Sequence, residues 1–390
     1  MNPFKFIQPR LNYSFSIKDK KIAFLALFFK TKMESSRIYN ILDSENIYFF
    51  DNARSGLRLI LSLLPSNSRI GVQPFTCPTV LEAIDKAKCT AVFVDINNQL
   101  VIDPQKLILQ IDRIDALILT HTFGYPADAR EIRSILNGKM LIEDCAHAFL
   151  TKNEHGLVGK VGDFALFSHG FAKFPSALRG GYVLMNNSKF ADAFQIQYSS
   201  VSKPRFKELL KNLIQSYMVS LANNIVIYSY ITSKIKNRRE RKFTYTKQTS
   251  KASEIKQGFR TCQAVFENKL EDINEKLLIQ QKYGKNIIEA LQGNSSFEIC
   301  QYAEGMNFFM IPVLVKQPNH FISYAKQNGI EIGRHFVQSQ NIVPYYGYHK
   351  GSCLNYEGIM NKIVTIPSHS DYPINKISKL VDIINAYSNE

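Results

Sequence analysis

Glu143-Asp144-Cys145-Ala146-His147-Ala148 follows the apolar run Met140-Leu141-Ile142, and Ser168-His169-Gly170-Phe171-Ala172-Lys173 follows a second run, Phe164-Ala165-Leu166-Phe167. Short apolar runs bounded by polar or glycine-rich segments read as buried strands. One run therefore ends on the carboxylate of Asp144, and the lysine of Lys173 lies just beyond the other. Open α/β sheets bind ligands at the carboxyl ends of their strands, so the two side chains are expected to face one cleft. The plainer alternatives are a helix N-cap at Asp144 and a surface lysine at Lys173. Ser168, five residues before the lysine, and Gly180-Gly181 after it favour the cleft.

Outward from this stretch the alternation continues. Arg69 to Val72, Thr90 to Val94, Ala116 to Leu119 and Gly181 to Met185 are strand-like, and Ser55 to Leu64, Pro78 to Lys88 and Ala127 to Leu136 have helical periodicity. Such alternation predicts an α/β fold with a mostly parallel sheet. Further on come one long helical pattern from about Gln263 to Leu291, a strand-like run from Phe308 to Val315, and a last helix from Ile374 to Tyr387. The expected organisation is an N-terminal arm (1–35), a large domain (36–285) carrying a basic insertion at about 203–256, and a small C-terminal α/β domain (286–390).

With 390 residues, 45% of them hydrophobic, the chain can bury a large core. Its six cysteines show no CxxC pair and no metal-ligand spacing, which points to reduced thiols, a cytoplasmic protein and no metal site. The apolar stretch Ile22 to Phe29 is too short to span a bilayer. A formal net charge of +15 suits anionic substrates or surfaces. No nucleic-acid motif accompanies it, so nucleic acid is not an expected partner.

A carboxylate and a lysine at neighbouring strand ends are the pair that pyridoxal phosphate enzymes need. The lysine attaches the cofactor aldehyde, and the carboxylate keeps the pyridine nitrogen protonated. At these residues the chain resembles the DegT/StrS-type nucleotide-sugar aminotransferases, which belong to fold type I of the pyridoxal phosphate enzymes. The resemblance rests on Glu143 to Ala148, Gly159-Lys160-Val161-Gly162-Asp163, Phe167 to Lys173, and Gly180-Gly181, in that order. It extends from about Asn52 to the C-terminus and is poor before residue 45 and between about 200 and 257.

The resemblance implies an aspartate-aminotransferase-like fold, with a seven-stranded, mainly parallel sheet and a small C-terminal α/β domain. It also implies pyridoxal 5'-phosphate as cofactor and a homodimer with active sites at the subunit interface. The implied reaction moves an amino group from glutamate or a similar donor to a nucleotide-linked keto-sugar, for polysaccharide or glycosylated-metabolite biosynthesis. Lys173 and Asp144 become the catalytic pair, and lysine rather than histidine at 173 argues for transamination over dehydration. His147 falls beside the cofactor ring, and Ser168 and the backbone of Arg54 and Ser55 fall on its phosphate, the last two at a helix N-terminus.

Cys77 stands where the family usually has an aromatic residue on the cofactor face. Glu143 is expected to point away from the cleft. His121 lies in a strand-end loop, either structural or contacting. Arg334 and His335 are candidates for substrate contact, and Arg260 for reaching a partner subunit's phosphate. Rival readings are a pyridoxal phosphate dehydratase, and a catalytically weak ligand-binding or membrane-surface member of the same fold.

The insertion has two readings. Asn212 to Ser233 carries no charge, and residues 234–256 hold nine Lys or Arg against two Glu. That is the pattern of a peripheral contact with an anionic membrane. The alternative is a helix packed on the large domain or on the dimer partner, followed by a solvated loop.

Overall fold

The computed structural model describes residues 6–11, 15–29, 37–234 and 254–388. Most of the basic segment, 235–253, and residues 30–36 of the arm region lie outside the described residues.

Seven strands form the main sheet: β1 (Ile47–Phe50), β2 (Arg69–Val72), β3 (Thr90–Phe93), β4 (Ala116–Thr120), β5 (Met140–Asp144), β6 (Phe164–Ser168) and β7 (Gly181–Met185). Their spatial order is β1-β7-β6-β5-β4-β2-β3. The pairings among β3, β2, β4, β5 and β6 are parallel, whereas β6–β7 and β7–β1 are antiparallel. The expected mainly parallel α/β sheet is thus observed. Every residue of β4 and β5 is buried, as required of central parallel strands covered on both faces, and this is why they read as unbroken apolar runs.

The helices that matter for the site are α1 (Ile17–Leu25) in the arm, α2 (Ala53–Leu61), α3 (Pro78–Lys86), α4 (Ala129–Leu136), α5 (Phe206–Ala222), α6 (Ile225–Lys234), α7 (Arg260–Lys269), α8 (Ile273–Gln292) and α9 (Ile374–Asn385). The expected continuous helix from Gln263 to Leu291 is two helices, because the chain turns at Leu270 to Asp272. Strands β8 (Phe297–Ile299), β9 (Ile311–Val315) and β10 (Ile363–Ile366) make a second, antiparallel sheet. β9 starts three residues later than the apolar run suggested, since Phe308 has a left-handed φ of 50°.

Among the described residues three cores result. Two pack on opposite faces of the large sheet, and the third joins the C-terminal half of α8, the small sheet and α9. The arm is fastened to the large unit. Buried Asp19 pairs with Lys269 at 3.0 Å and accepts from Asn268 at 2.9 Å, and Arg260 donates to the carbonyls of Ala26 and Leu27. Gln8 bridges to Ile330, on the side of the small sheet.

Candidate active site

A cavity of about 410 Å³ opens at the carboxyl ends of β2, β4, β5 and β6. Arg54, Cys77, Asp144, His147, Ser168 and Lys173 all line it. The parallel register explains the convergence. Thr120 at the end of β4 pairs with Asp144 at the end of β5, and Asp144 pairs with Leu166, two residues before Ser168.

Glu143 and Asp144 are adjacent but face opposite ways, as strand alternation demands. Glu143 is fully buried away from the cavity. Its Oε1 accepts the N–H groups of Val161 (2.8 Å) and Gly162 (2.6 Å), and its Oε2 accepts from Gly159 N–H and His121 Nε2, both at 2.9 Å. Burial pushes its carboxyl up, but His121 and the backbone donors outweigh this and hold it below its ordinary value. His121 Nδ1 accepts the Ala127 N–H at 3.1 Å, so Nε2 carries the proton given to Glu143. His121 is therefore a structural residue. His121, Glu143 and Cys145 lie close enough to suggest a metal cluster. The carboxylate and imidazole atoms are already bonded to the protein, and burial pushes the Cys145 thiol well above its ordinary value.

Asp144 looks into the cavity. Its Oδ1 accepts the Ala146 N–H at 3.0 Å, a local turn bond; no helix follows, so the N-cap alternative does not hold. Burial raises its pKa, an effect that the Ala146 N–H and the Lys173 charge oppose. Burial lowers that of Lys173, opposed by Cys77 and Asp144. The Lys173 ammonium lies 5.2 Å from the centre of the Phe309 ring. Each member of the pair thus sits where its charge is poorly solvated, and a complementary group from a ligand would stabilise it.

His147 stacks on Phe309 at 4.4 Å between ring centres and on Phe336 at 5.6 Å. Its Nδ1 accepts the Phe123 N–H at 3.3 Å, which makes Nε2 the protonated nitrogen of the neutral ring. Burial keeps it neutral, and the nearby Lys173 and His335 add to this, holding its pKa well below the ordinary value.

Asn307, which sequence reasoning missed, fixes the loop behind this ring. It donates to the carbonyls of His147 (3.0 Å) and Phe149 (2.9 Å) and accepts the Phe309 N–H (2.9 Å). Gly124 approaches it so closely that a Cβ there would lie 2.0 Å from Asn307 Oδ1, and its φ is +91°. That contact accounts for the glycine in the His121 loop.

The loop from Ser168 to Gly181 is held by His169, which stacks on Phe266 at 4.5 Å. A Cβ at Gly180 would meet His169 Nε2 at 2.1 Å, and one at Gly181 would meet Ala53 N at 2.7 Å. The glycine pair is what lets β7 begin against both this loop and the start of α2. At that start Asn52 is the N-cap, and its Oδ1 accepts the Ser55 N–H at 3.0 Å. The Ser55 hydroxyl is buried on Asp51 at 2.7 Å. The expectation that Ser55 presents its N–H to an anion is corrected, because Asn52 takes it. Asn52, Ala53 and Arg54 are the residues of this helix start that line the cavity.

Arg334 is also turned elsewhere, donating to the carbonyls of Ile363 (3.1 Å) and Met360. His335 contacts the site through ring edges, 5.5 Å from His147, and is absent from the cavity wall. Arg260 is committed to the arm of its own chain, as described above. Cys77 is the N-cap residue of α3, with its sulfur 3.1 Å from Thr79 Oγ1.

The wall suits a planar, charged heteroaromatic ligand bearing an anionic tail. Thr76 and Thr120 line it with buried hydroxyls that have no hydrogen-bond partner among the described residues. Asp144 offers an acceptor for a cationic ring nitrogen, His147 Nε2 a donor for a ring oxygen, and Ser168 with the start of α2 donors for an anion. These donor types match pyridoxal phosphate group by group.

Comparison with known proteins gives a consistent picture. The model of the "DegT/DnrJ/EryC1/StrS aminotransferase family" matches residues 41–385. The chain is 30% identical over 127 residues to the spore coat polysaccharide biosynthesis protein SpsC of Bacillus subtilis (strain 168), covering 32% of this chain and 33% of that protein. It is 29% identical over 142 residues to the GDP-perosamine synthase of Escherichia coli O157:H7, covering 35% and 38% respectively. The matched stretches thus span little more than a third of these curated relatives. In structure it resembles Helicobacter pylori PseC, an aminotransferase involved in the biosynthesis of pseudoaminic acid. That match has a TM-score of 0.74 at 14% identity and covers 97% of this chain and 98% of that one.

Proposed function

Because the chain belongs to the DegT/DnrJ/EryC1/StrS aminotransferase family, we propose that it is a pyridoxal phosphate-dependent aminotransferase. It takes an amino group from glutamate or a similar donor and delivers it to a nucleotide-linked keto-sugar. Its product serves polysaccharide or glycosylated-metabolite biosynthesis. The observation that carries this reading is the shared cavity of Lys173 and Asp144, each in a setting that disfavours its unpaired charge. The relatives named for a spore coat polysaccharide and for GDP-perosamine support the substrate class.

When bound, the cofactor supplies an electron sink for the carbon that loses its proton. The protein supplies the rest. Asp144 holds a proton on the ring nitrogen. His147, neutral and protonated at Nε2, donates to the ring oxygen. Ser168 and the helix start at Asn52 to Arg54 bind the phosphate, where backbone N–H groups and the helix dipole favour an anion. Lys173 would hold the cofactor through its Nζ and, once released, would accept and return a proton at that nitrogen, a task suited to an amine whose pKa burial has lowered. Cys77 and Phe336 contribute to the cavity wall.

The arm, the large unit and the C-terminal unit act as three parts of one subunit, and the working form is a cytoplasmic homodimer. All six cysteines are free thiols, in keeping with that compartment. Lysine at position 173 favours transamination over dehydration. Incubation with glutamate and a panel of nucleotide keto-sugars tests the reading through 2-oxoglutarate release. Lys173→Ala should abolish both that release and the borohydride-fixed cofactor adduct seen by mass spectrometry. An adduct and turnover that survive Lys173→Ala would assign the role to another lysine.

A further inference from the structure

Thr120 closes β4 beside the strand that ends on Asp144. The two are register partners, and register partners in a parallel sheet present their side chains to the same face. Asp144 looks into the cavity, and both residues line it. The rest of β4, Ala116-Leu117-Ile118-Leu119, is apolar and buried, so the strand's polar side chain is the one at the cavity. Thr120 itself is 5% exposed, and its hydroxyl has no hydrogen-bond partner among the described residues. A hydroxyl buried in this way destabilises a fold where a valine of the same shape would not. Such a group in a native protein calls for an explanation.

The groups around it say what it meets. Asp144 stands on the β5 side. His147 follows β5 in the chain but is fastened to the loop that follows β4. Its Nδ1 accepts the N–H of Phe123, three residues beyond Thr120, at 3.3 Å. In the same loop His121 N–H donates to the Asp144 carbonyl at 3.1 Å. The nitrogen that His147 turns to the cavity, Nε2, is a donor suited to an oxygen on the ligand ring, and its loop is the continuation of the strand that Thr120 ends. An oxygen with two lone pairs accepts from two donors. One rotation about the Cα–Cβ bond of Thr120 exchanges its methyl and hydroxyl positions, with no backbone movement.

We propose that Thr120 is a further cofactor-binding residue, whose hydroxyl donates to the same ring oxygen as His147 Nε2. The ligand then provides the partner that the fold does not. This inference rests on the reading of the cavity as a pyridoxal phosphate site.

Thr120→Val removes the hydroxyl and keeps the shape, and it should act with opposite signs on two measurements. Without cofactor the variant loses an unpaired buried group, so its melting temperature should rise by about 2 °C. With pyridoxal 5'-phosphate its affinity should fall about tenfold, the worth of one hydrogen bond. Thr120→Ser keeps the hydroxyl and should bind within about twofold of the wild type. The analogue 3-deoxypyridoxal 5'-phosphate lacks the ring oxygen and should bind the wild type and Thr120→Val alike. Should Thr120→Val fail to fold, the smaller Thr120→Ala repeats both affinity comparisons.

A threonine that only packs would shift the melting temperature and leave affinity unchanged. Equal affinity of the wild type and Thr120→Val for pyridoxal 5'-phosphate therefore overturns the proposal while the cofactor reading stands. No binding by the wild type overturns both. A tenfold loss that persists with the 3-deoxy analogue overturns the assignment to the ring oxygen.

Discussion

Glu143→Gln changes little in shape and much in hydrogen bonding. The wild-type carboxylate accepts four bonds, two at each oxygen, from Val161, Gly162, Gly159 and His121. A glutamine keeps only one carboxamide oxygen. Whichever way the amide turns, two donors lose their acceptor and face another N–H. His121 cannot rescue the contact by changing tautomer, since its Nδ1 already accepts from Ala127. A hydrogen bond to a charged acceptor contributes about 1.5–3 kcal/mol, so two lost bonds come to about 3–6 kcal/mol.

Relief from burying a charge works the other way. The lowered pKa of Glu143 despite full burial means that its partners favour the charged form by more than burial opposes it. The net effect is therefore destabilising, and large against a total stability of about 5–15 kcal/mol. Urea unfolding of the purified variant beside the wild type measures it as a lowered midpoint at similar slope. A loss below about 1 kcal/mol would refute the view that Glu143 holds the Gly159–Gly162 loop.

Asp144→Asn should still bind pyridoxal phosphate but lose a hundredfold or more in turnover, roughly the effect of a misplaced proton on a reacting group; full activity would remove Asp144 from the ring nitrogen. Gly124→Ala should destabilise by about 2 kcal/mol or more, because the new Cβ both strains a left-handed backbone and strikes Asn307. A thermal melt checks this, and the loss in Gly124→Ala combined with Asn307→Ala should be smaller than the sum of the two single losses, because the clash is gone in the double variant.

Buried His169 and His369 have pKa values lowered to about 3 and about 4, chiefly by burial. The unfolded chain thus takes up protons that the folded one refuses. Stability should fall as pH drops below the unfolded histidine value, by about 2 kcal/mol for each at pH 5. His169→Gln should flatten that slope in denaturant titrations between pH 7 and 5, and an unchanged slope would mean that His169 is protonated in the fold.

The large sheet was legible because its central strands are buried on both faces and so read as plain apolar runs ending in polar residues. The convergence of Lys173, Asp144, His147 and Ser168 on one cavity was legible for the same reason, since each stands at or just past a strand end. Ser55 was misjudged because capping is decided by side-chain reach, and Asn52 takes the N–H that sequence assigned to an anion. Arg334 looked like a substrate ligand, but its guanidinium is bonded to carbonyls next to β10. Thr76, Thr120, Asn307 and Phe309 went unnoticed because nothing local marks them; only folding brings residue 307 against residues 124 and 147. The uncharged stretch after Lys211 hid its division, because a helix with one packed and one bare apolar face has no polar side to reveal its period.

Asn307 has a mechanical meaning beyond the contacts that it satisfies. It lies after α8 in the chain, yet it is anchored to the loop that follows β5. Next to it, Phe308 belongs to the small core and Phe309 to the large one. The ring behind Lys173 therefore moves with the large sheet, although it is borne by the half of the chain that builds the small sheet. If one core rocks on the other, Phe309 stays with the strand ends that bear Asp144 and Ser168, and Phe336 is the lining residue of the cavity that the C-terminal half carries.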